Sequence, residues 1–262
     1  MTVLVAGAER VDAGKTTFSV GLVHRLGGVG FKPRAGNDYW FDHDDYLAAI
    51  GDGRLYGKDA RRLAEASADP VTPEAINPVH RLWQPVPDTG RLLGQSGREF
   101  VLDRVGESFV VNATADVPGS ARDALPVDDA TTVRTVEELN AVTRERHLPE
   151  LDALRERIAA TDPAVVESYG DVARPLRDLT VERVVVVEPG RVRIYDGARY
   201  EKACRVATGD PGTGALEERV PDVVEPIEPV ATVDLPALDA ETRATPAAVA
   251  SAYADAYDAL LG

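Results

Sequence analysis

The stretch that most restricts the fold runs Val3-Leu-Val-Ala-Gly-Ala-Glu-Arg-Val-Asp-Ala-Gly-Lys-Thr-Thr17. A short apolar, β-prone run enters a glycine-lysine-threonine turn, and an apolar stripe at helical spacing follows at Phe18, Leu22 and Leu26, with Val23 beside it. The pattern predicts a strand, a phosphate loop and a helix. Unpaired amides at a helix start, together with the positive end of the helix dipole, bind phosphate oxygens without needing side chains. Val11, Asp12, Ala13, Gly14, Lys15, Thr16 and Thr17 would then wrap the phosphates. Lys15 would reach the terminal ones, and the Thr16 hydroxyl would hold Mg²⁺. The usual spacing asks for glycine at position 9, where this chain has Glu9; the nearest upstream glycine is Gly7.

Past this unit, short valine-rich segments alternate with helical patterns. That favours an α/β fold with a mainly parallel sheet covered by helices on both faces, the three-layer arrangement of P-loop NTPases. Val29 to Lys32 reads as a second strand ended by Pro33. Ala164-Val-Val166 leads into Glu167, and Val184-Val-Val-Val187 leads into Glu188. A second apolar run covers Val192 to Tyr195, and Pro229 to Val233 reads as a last strand. Glu99 to Asp103 and Ser108 to Asn112 read as a hairpin around residues 104–107.

Thr135 and Glu138 make a capping box, and Leu148-Pro149 restarts a helix carrying Leu151, Leu154 and Ile158. Thr245 and Pro246 open a closing helix with Val249, Tyr253 and Leu260 on it. Residues 34 to about 98 are irregular and proline-rich, with one helix over Asp59 to Ala66. Their aromatics, Tyr39, Trp40, Phe41, Tyr46 and Trp83, argue for an ordered functional insert. Thr208 to Glu228 reads as a mobile loop. With no convincing linker, the 262 residues are expected to form one domain.

The net charge is −15, which argues against nucleic-acid and anionic membrane partners. Lysine occurs only at Lys15, Lys32, Lys58 and Lys202. The balance resembles that of cytoplasmic proteins of salt-loving archaea, an ordinary acidic bacterial protein being the plainer alternative. Where surface lysine is so scarce, Lys15 and Lys32 gain weight as point charges kept for a purpose. The one cysteine, Cys204, excludes an internal disulfide and is expected to be a buried structural thiol. No segment is apolar enough to span a membrane and no leader is evident, so a cytoplasmic location is expected.

Mg²⁺ on a nucleotide takes one or two protein oxygens, usually from the carboxyl ends of sheet strands, and Glu167 is the best candidate for one of them. Asp38, Asp42, His43, Asp44 and Asp45 offer either a second metal or substrate site or, the plainer reading, a solvated acidic loop. His24, His80 and His147 read as surface or satisfied histidines. No Ser-His-Asp order or Cys-His pair suggests nucleophilic hydrolysis, and the lack of an N-K-x-D signal tilts the base choice toward ATP over GTP.

The succession of phosphate loop, Phe31-Lys32-Pro33, Lys58-Asp59-Ala60, Glu74-Ala-Ile-Asn-Pro78 and Val165-Val166-Glu167-Ser-Tyr-Gly170 resembles dethiobiotin synthetase. Phe31-Lys-Pro-Arg-Ala-Gly-Asn-Asp-Tyr-Trp-Phe-Asp-His43 is similar to a stretch of the cobyrinic acid a,c-diamide synthases. Both belong to one superfamily of P-loop amide- and ring-forming ligases. The resemblance covers roughly the first 180 residues.

It implies catalytic roles for Lys15 and Lys32, Mg²⁺ ligation by Thr16 and Glu167, with Asp59 as a further acid on the metal, and ATP-driven activation of a small carboxylate or carbamate. It also implies a homodimer, a state common in the family. Two departures put the biotin-pathway substrate in question: the longer first loop, and Glu167-Ser-Tyr-Gly-Asp171 where a glycine-rich run is usual. There, Tyr169 and Asp171 would crowd or recharge the substrate side. No cysteine-bearing amidotransferase domain is present in the sequence, so a second atom would come from ammonia, CO₂ or a substrate amine. The rival expectations are a switch or accessory ATPase/GTPase working through a protein partner, and a small-molecule kinase.

Overall fold

Strand β1 (Thr2–Gly7) is buried along its whole length, as an unbroken apolar run flanked by other strands requires. In the computed structural model, residues 1–9, 14–86, 94–95, 97–207 and 218–262 are described. After β1 come α1 (Lys15–Leu26), β2 (Val29–Phe31), β3 (Arg34–Asp38), α2 (His43–Gly51), α3 (Lys58–Ala66), α4 (Pro73–Ile76) and β4 (Val79–Pro85). Next are β5 (Gly94–Gln95), β6 (Arg98–Val105), β7 (Ser108–Asn112), α5 (Gly119–Ala124), β8 (Thr131–Val133), α6 (Val136–Val142) and α7 (Leu148–Ala160). The chain closes with β9 (Ala164–Glu167), β10 (Arg183–Glu188), β11 (Arg191–Asp196), α8 (Gly197–Ala207), α9 (Val220–Val224), β12 (Ala231–Asp234), α10 (Ala240–Ala244), α11 (Pro246–Ala252) and α12 (Ala254–Leu261).

The class is mixed α/β, divided by internal contacts into two compact units. The first comprises Met1–Pro33, Arg62–Val71 and Arg155–Gly262. Its sheet has the order β12-β11-β10-β1-β9-β2. Pairings among β10, β1, β9 and β2 are parallel, whereas β10-β11 and β11-β12 are antiparallel. The expected parallel sheet is therefore carried by four strands, with an antiparallel edge added by the tight turn at Pro189-Gly190. Phe18 and Leu22 of α1 are fully buried. The Tyr257 hydroxyl of α12 donates to the Phe18 carbonyl at 2.9 Å.

The second unit comprises Arg34–Arg61 and Thr72–Leu154, with a second sheet in the order β3-β4-β6-β7-β8. It is mixed: β3-β4 and β7-β8 are parallel, while β4-β6, β6-β7 and β5-β6 are antiparallel. Tyr46, Ile50, Leu55, Leu82, Leu102 and Phe109 sit in one apolar cluster of this unit. The region 34–98, expected to be irregular, thus supplies β3, α2, α4 and β4. Two of its prolines sit at element boundaries, Pro73 opening α4 and Pro85 ending β4, so these mark edges where the sequence suggested loop.

Other boundaries also differ from expectation. The hairpin is present, but Arg104 lies inside β6 and only Gly106 and Glu107 turn the chain. Its guanidinium is buried and donates to the carbonyls of Leu55 (2.7 Å), Gly106 (3.1 Å) and Asn77 (2.5 Å). An α-helix does begin at Leu148, but without a break before it: a π-helical turn, Thr143–His147, joins α6 directly to α7. The wider turn shifts the hydrogen-bond register just before Pro149, which has no amide to donate. Thr135 accepts the Glu138 amide at 3.1 Å as a cap should, yet Glu138 reaches the amide of Arg134 (2.6 Å), one residue early for a regular box. The closing helix is two helices broken at Tyr253, and Thr245 makes no side-chain cap. Among the described residues no helix is long and apolar enough to cross a membrane.

Candidate functional site

Three neighbouring parallel strands of the first unit bring the site together. Strand register pairs Val5 of β1 with Glu167 of β9, and Val166 of β9 with Phe31 of β2. The residues immediately past or at the carboxyl ends of these strands are therefore Gly7, Glu167 and Lys32. In open α/β sheets this edge is where ligands bind.

Gly14 precedes α1 in the left-handed region, with φ 84°, which glycine adopts at no steric cost. Lys15 is the first helical residue and is buried. Its side chain folds back over the end of β1: a Cβ built on Gly7 would stand 2.8 Å from Lys15 Nζ and 2.9 Å from Lys15 Cδ. A side chain at Gly7 would push the flexible end of Lys15 aside and press on the Gly170 carbonyl at 3.3 Å, so glycine leaves the lysine room to lie there. The irregular glycine position of the loop has a steric reason in the fold.

Glu167 is completely buried at the end of β9. Its Oε1 accepts two donors, Lys32 Nζ at 2.5 Å and Thr16 Oγ1 at 2.8 Å. Lys32 is itself 4% exposed, so the pair is shielded from solvent and held by geometry that must offset desolvation of both charges. Glu167 Oε2 is buried with no hydrogen-bond partner among the described residues. A carboxylate oxygen left without a donor in the interior is costly, and a water, a cation or another ligand is what completes such a group. Thr17 follows, half-buried, in the first turn of α1.

The loop after Glu167 is tightly folded. The Ser168 amide donates to Val5 (2.9 Å), and the Ser168 hydroxyl donates to the Val172 carbonyl (2.5 Å). The Gly170 carbonyl comes 3.3 Å from the Cβ position on Gly7. Asp171, expected to recharge the substrate side, is largely buried and ion-paired with Arg219. That pairing was invisible in the sequence, because nothing local links residues 48 positions apart.

Thr16, Lys32 and Glu167 therefore meet in one hydrogen-bonded group, and Lys15 lies over Gly7 at the end of the neighbouring strand. Val11, Asp12 and Ala13 lie outside the described residues. Asp59 stands in the first turn of α3 within the second unit, in electrostatic contact with Asp45. Among the described residues no group of three or more His, Cys, Asp or Glu is placed to hold a metal.

The acidic run has structural work in the second unit. The Asp42 carboxylate accepts the Asp38 amide (2.7 Å), and Asp38 accepts those of Trp40 and Phe41 (2.9 and 3.1 Å). Asp45 accepts from Asn37 (2.8 Å) and the Lys58 amide (2.7 Å), while burial pushes its carboxyl above the usual range. His43 and Asp44 are exposed. Of the histidines, His24 is on the surface and His147 is buried against Asp103 at 2.9 Å. Cys204 is fully buried, its thiol pushed up to about 12 by burial, an inert structural group.

No protein-family model, curated protein or solved structure matches the chain.

Proposed function

We propose that the first unit is a P-loop nucleotide-binding domain with the three-layer α/β/α architecture of that class, and that the chain is a Mg²⁺-dependent enzyme similar to dethiobiotin synthetase. It uses ATP to activate a small carboxylate or carbamate. One observation carries the reading: Lys32 and Thr16 converge on the buried Glu167 carboxylate at the same strand ends where Lys15 lies across Gly7.

The chemistry demanded of such a site is charge neutralisation. An oxygen of the substrate carboxylate attacks the γ-phosphorus, the bond to the β–γ bridging oxygen breaks, and ADP leaves with that electron pair. Several anionic oxygens crowd together at this moment, and preorganised positive charge lowers the barrier. Lys15 serves the β- and γ-phosphates from the helix start. Lys32, on the neighbouring strand end, serves the γ-phosphate and the attacking carboxylate. Mg²⁺, held by Thr16 Oγ1 and Glu167, would neutralise phosphate oxygens further; the donor-free Glu167 Oε2 fits a cation ligand. A second lysine at these strand ends supports an enzyme over a nucleotide switch, which has no need of one.

The test is calorimetric titration of the intact chain with ATP and Mg²⁺, paired with a screen of small carboxylates for ADP-linked phosphate release. Wild type is expected to bind, and Lys15→Ala to lose at least tenfold in affinity, corresponding to about 1.4 kcal/mol. Unchanged ATP affinity in Lys15→Ala would refute the phosphate-loop assignment.

A further inference from the structure

The loop that follows Glu167 is clasped by a segment more than forty residues away, and the clasp is ionic on both sides. Residues 171–174 and 218–220 are joined by two backbone bonds, Ala173 amide to Glu218 carbonyl and Val220 amide to Asp171 carbonyl, each at 2.8 Å. Val172 and Arg219 form an antiparallel bridge between them. Two ion pairs flank that bridge: Asp171 with Arg219, and Arg174 with Glu218 at 2.5 Å. The carboxylates are the more buried partners, 13% and 11% exposed at the side chain, against 38% and 22% for the arginines. These are ion pairs roofed by guanidinium groups, less screened than fully exposed pairs.

What the clasp holds decides its meaning. Between Glu167 and Asp171 lie only Ser168, Tyr169 and Gly170. Ser168 is tied at both ends, its amide to Val5 and its hydroxyl to Val172. Gly170 turns the chain with φ 51°, and its carbonyl faces Gly7, the residue across which Lys15 lies. With so few residues between, the position of Asp171 bears on the loop that leaves Glu167. The charges of Asp171 and Arg174 are matched across the clasp by Arg219 and Glu218.

We infer that Asp171 and Arg219, supported by Arg174 and Glu218, are positioning residues that set the Glu167 carboxylate for the cation of the nucleotide site. The inference rests on the nucleotide-binding reading above. Outer groups that orient a ligating carboxylate typically change metal affinity by about 10–100-fold when removed. The clasp should therefore appear in the Mg²⁺ dependence of ATP binding, not in nucleotide contacts made without metal.

The experiment uses the intact chain with Arg219→Ala, Asp171→Asn, the conservative Arg219→Lys and the swap Asp171→Arg/Arg219→Asp. Amide exchange across residues 168–174 is followed without nucleotide, and ATP affinity is titrated against Mg²⁺ and again in EDTA. Arg219→Ala and Asp171→Asn are expected to speed exchange in this loop and to raise the Mg²⁺ needed for half-maximal ATP binding about tenfold. EDTA affinity should stay unchanged, and Arg219→Lys or the swap should restore most of the Mg²⁺ response.

Unchanged exchange in both single variants overturns the clasp whatever the wild type binds. Equal losses with Mg²⁺ and in EDTA overturn the positioning role in favour of general loosening. Wild type that binds no ATP with Mg²⁺ overturns the nucleotide reading, and the positioning role with it, while faster loop exchange in the variants would still show the clasp to exist.

Discussion

Lys32 and Glu167 form an ion pair in which both members are removed from water, so neither can be deleted cheaply. Removing one partner of such a pair leaves the other charged and buried, at a typical cost of about 3–5 kcal/mol. Lys32→Ala is accordingly expected to lower stability by about 3 kcal/mol in urea unfolding. Thr16 remains a donor to Glu167, and under the proposed function ATP affinity should stay near that of the wild type while carboxylate-dependent turnover disappears. If turnover and stability were both unchanged, neither the ion pair nor the role at the γ-phosphate could stand. Residue identity alone made Lys15, Thr16, Lys32 and Glu167 legible, because glycine-lysine-threonine before a helix and a polar residue ending an apolar strand are local signals. Gly7 was legible as a residue, but the lysine side chain that folds back over it from eight positions later was not.

Between elements, the second unit is knit by a buried charge relay. Asp103 of β6 is fully buried and receives Arg81 of β4 through two bonds of 2.6 Å, and His147 of the π-helical turn at 2.9 Å. Burial opposes its ionisation, but the Arg81 guanidinium and the His147 bond outweigh that and hold the carboxyl down at about 2. A carboxyl lowered on folding adds stability above its unfolded value, near 4. That contribution is lost as pH falls through the folded value. Asp103→Asn is expected to cost about 2 kcal/mol at pH 7, by the size of the shift, and the gap to wild type should narrow between about pH 4 and 2 in denaturant titrations. A gap independent of pH would show that the carboxylate does not tie β4, β6 and the π turn together. The β6–β7 hairpin was readable from alternation and a glycine turn, whereas β3, α2 and β4 were not. Their signal is diluted by Pro73, Pro78 and Pro85, which mark edges in a folded region as readily as they mark a loop.

At the scale of the whole chain, a net charge of −15 is a repulsive load that contacts within either unit do not remove. Raising KCl from about 0.1 M to about 1 M shortens the screening length from about 10 Å to about 3 Å. The thermal unfolding midpoint is expected to rise across that range. A midpoint that falls would mean that surface ion pairs such as Arg25–Asp258, at 2.7 Å, contribute more than the repulsion. Division into two compact units was not foreshadowed by any linker. The chain passes between them at Pro33/Arg34, Arg61/Arg62, Val71/Thr72 and Leu154/Arg155. Two of these crossings fall inside continuous helices, α3 and α7, where composition gives no sign of a boundary.

By itself the sequence determined the α/β class and the first strand and helix, and it singled out Lys15, Thr16, Lys32 and Glu167, because each depends on local periodicity or on a residue type at a chain position. Only the tertiary structure decided which strands lie side by side, and hence that Lys32 and Thr16 share one oxygen of Glu167. It also decided that Asp171 is matched by Arg219. Strand order and ion pairing across long stretches of chain arise from burial of whole faces and the meeting of distant charges. Both are properties of packing, with no local trace for a sequence to carry.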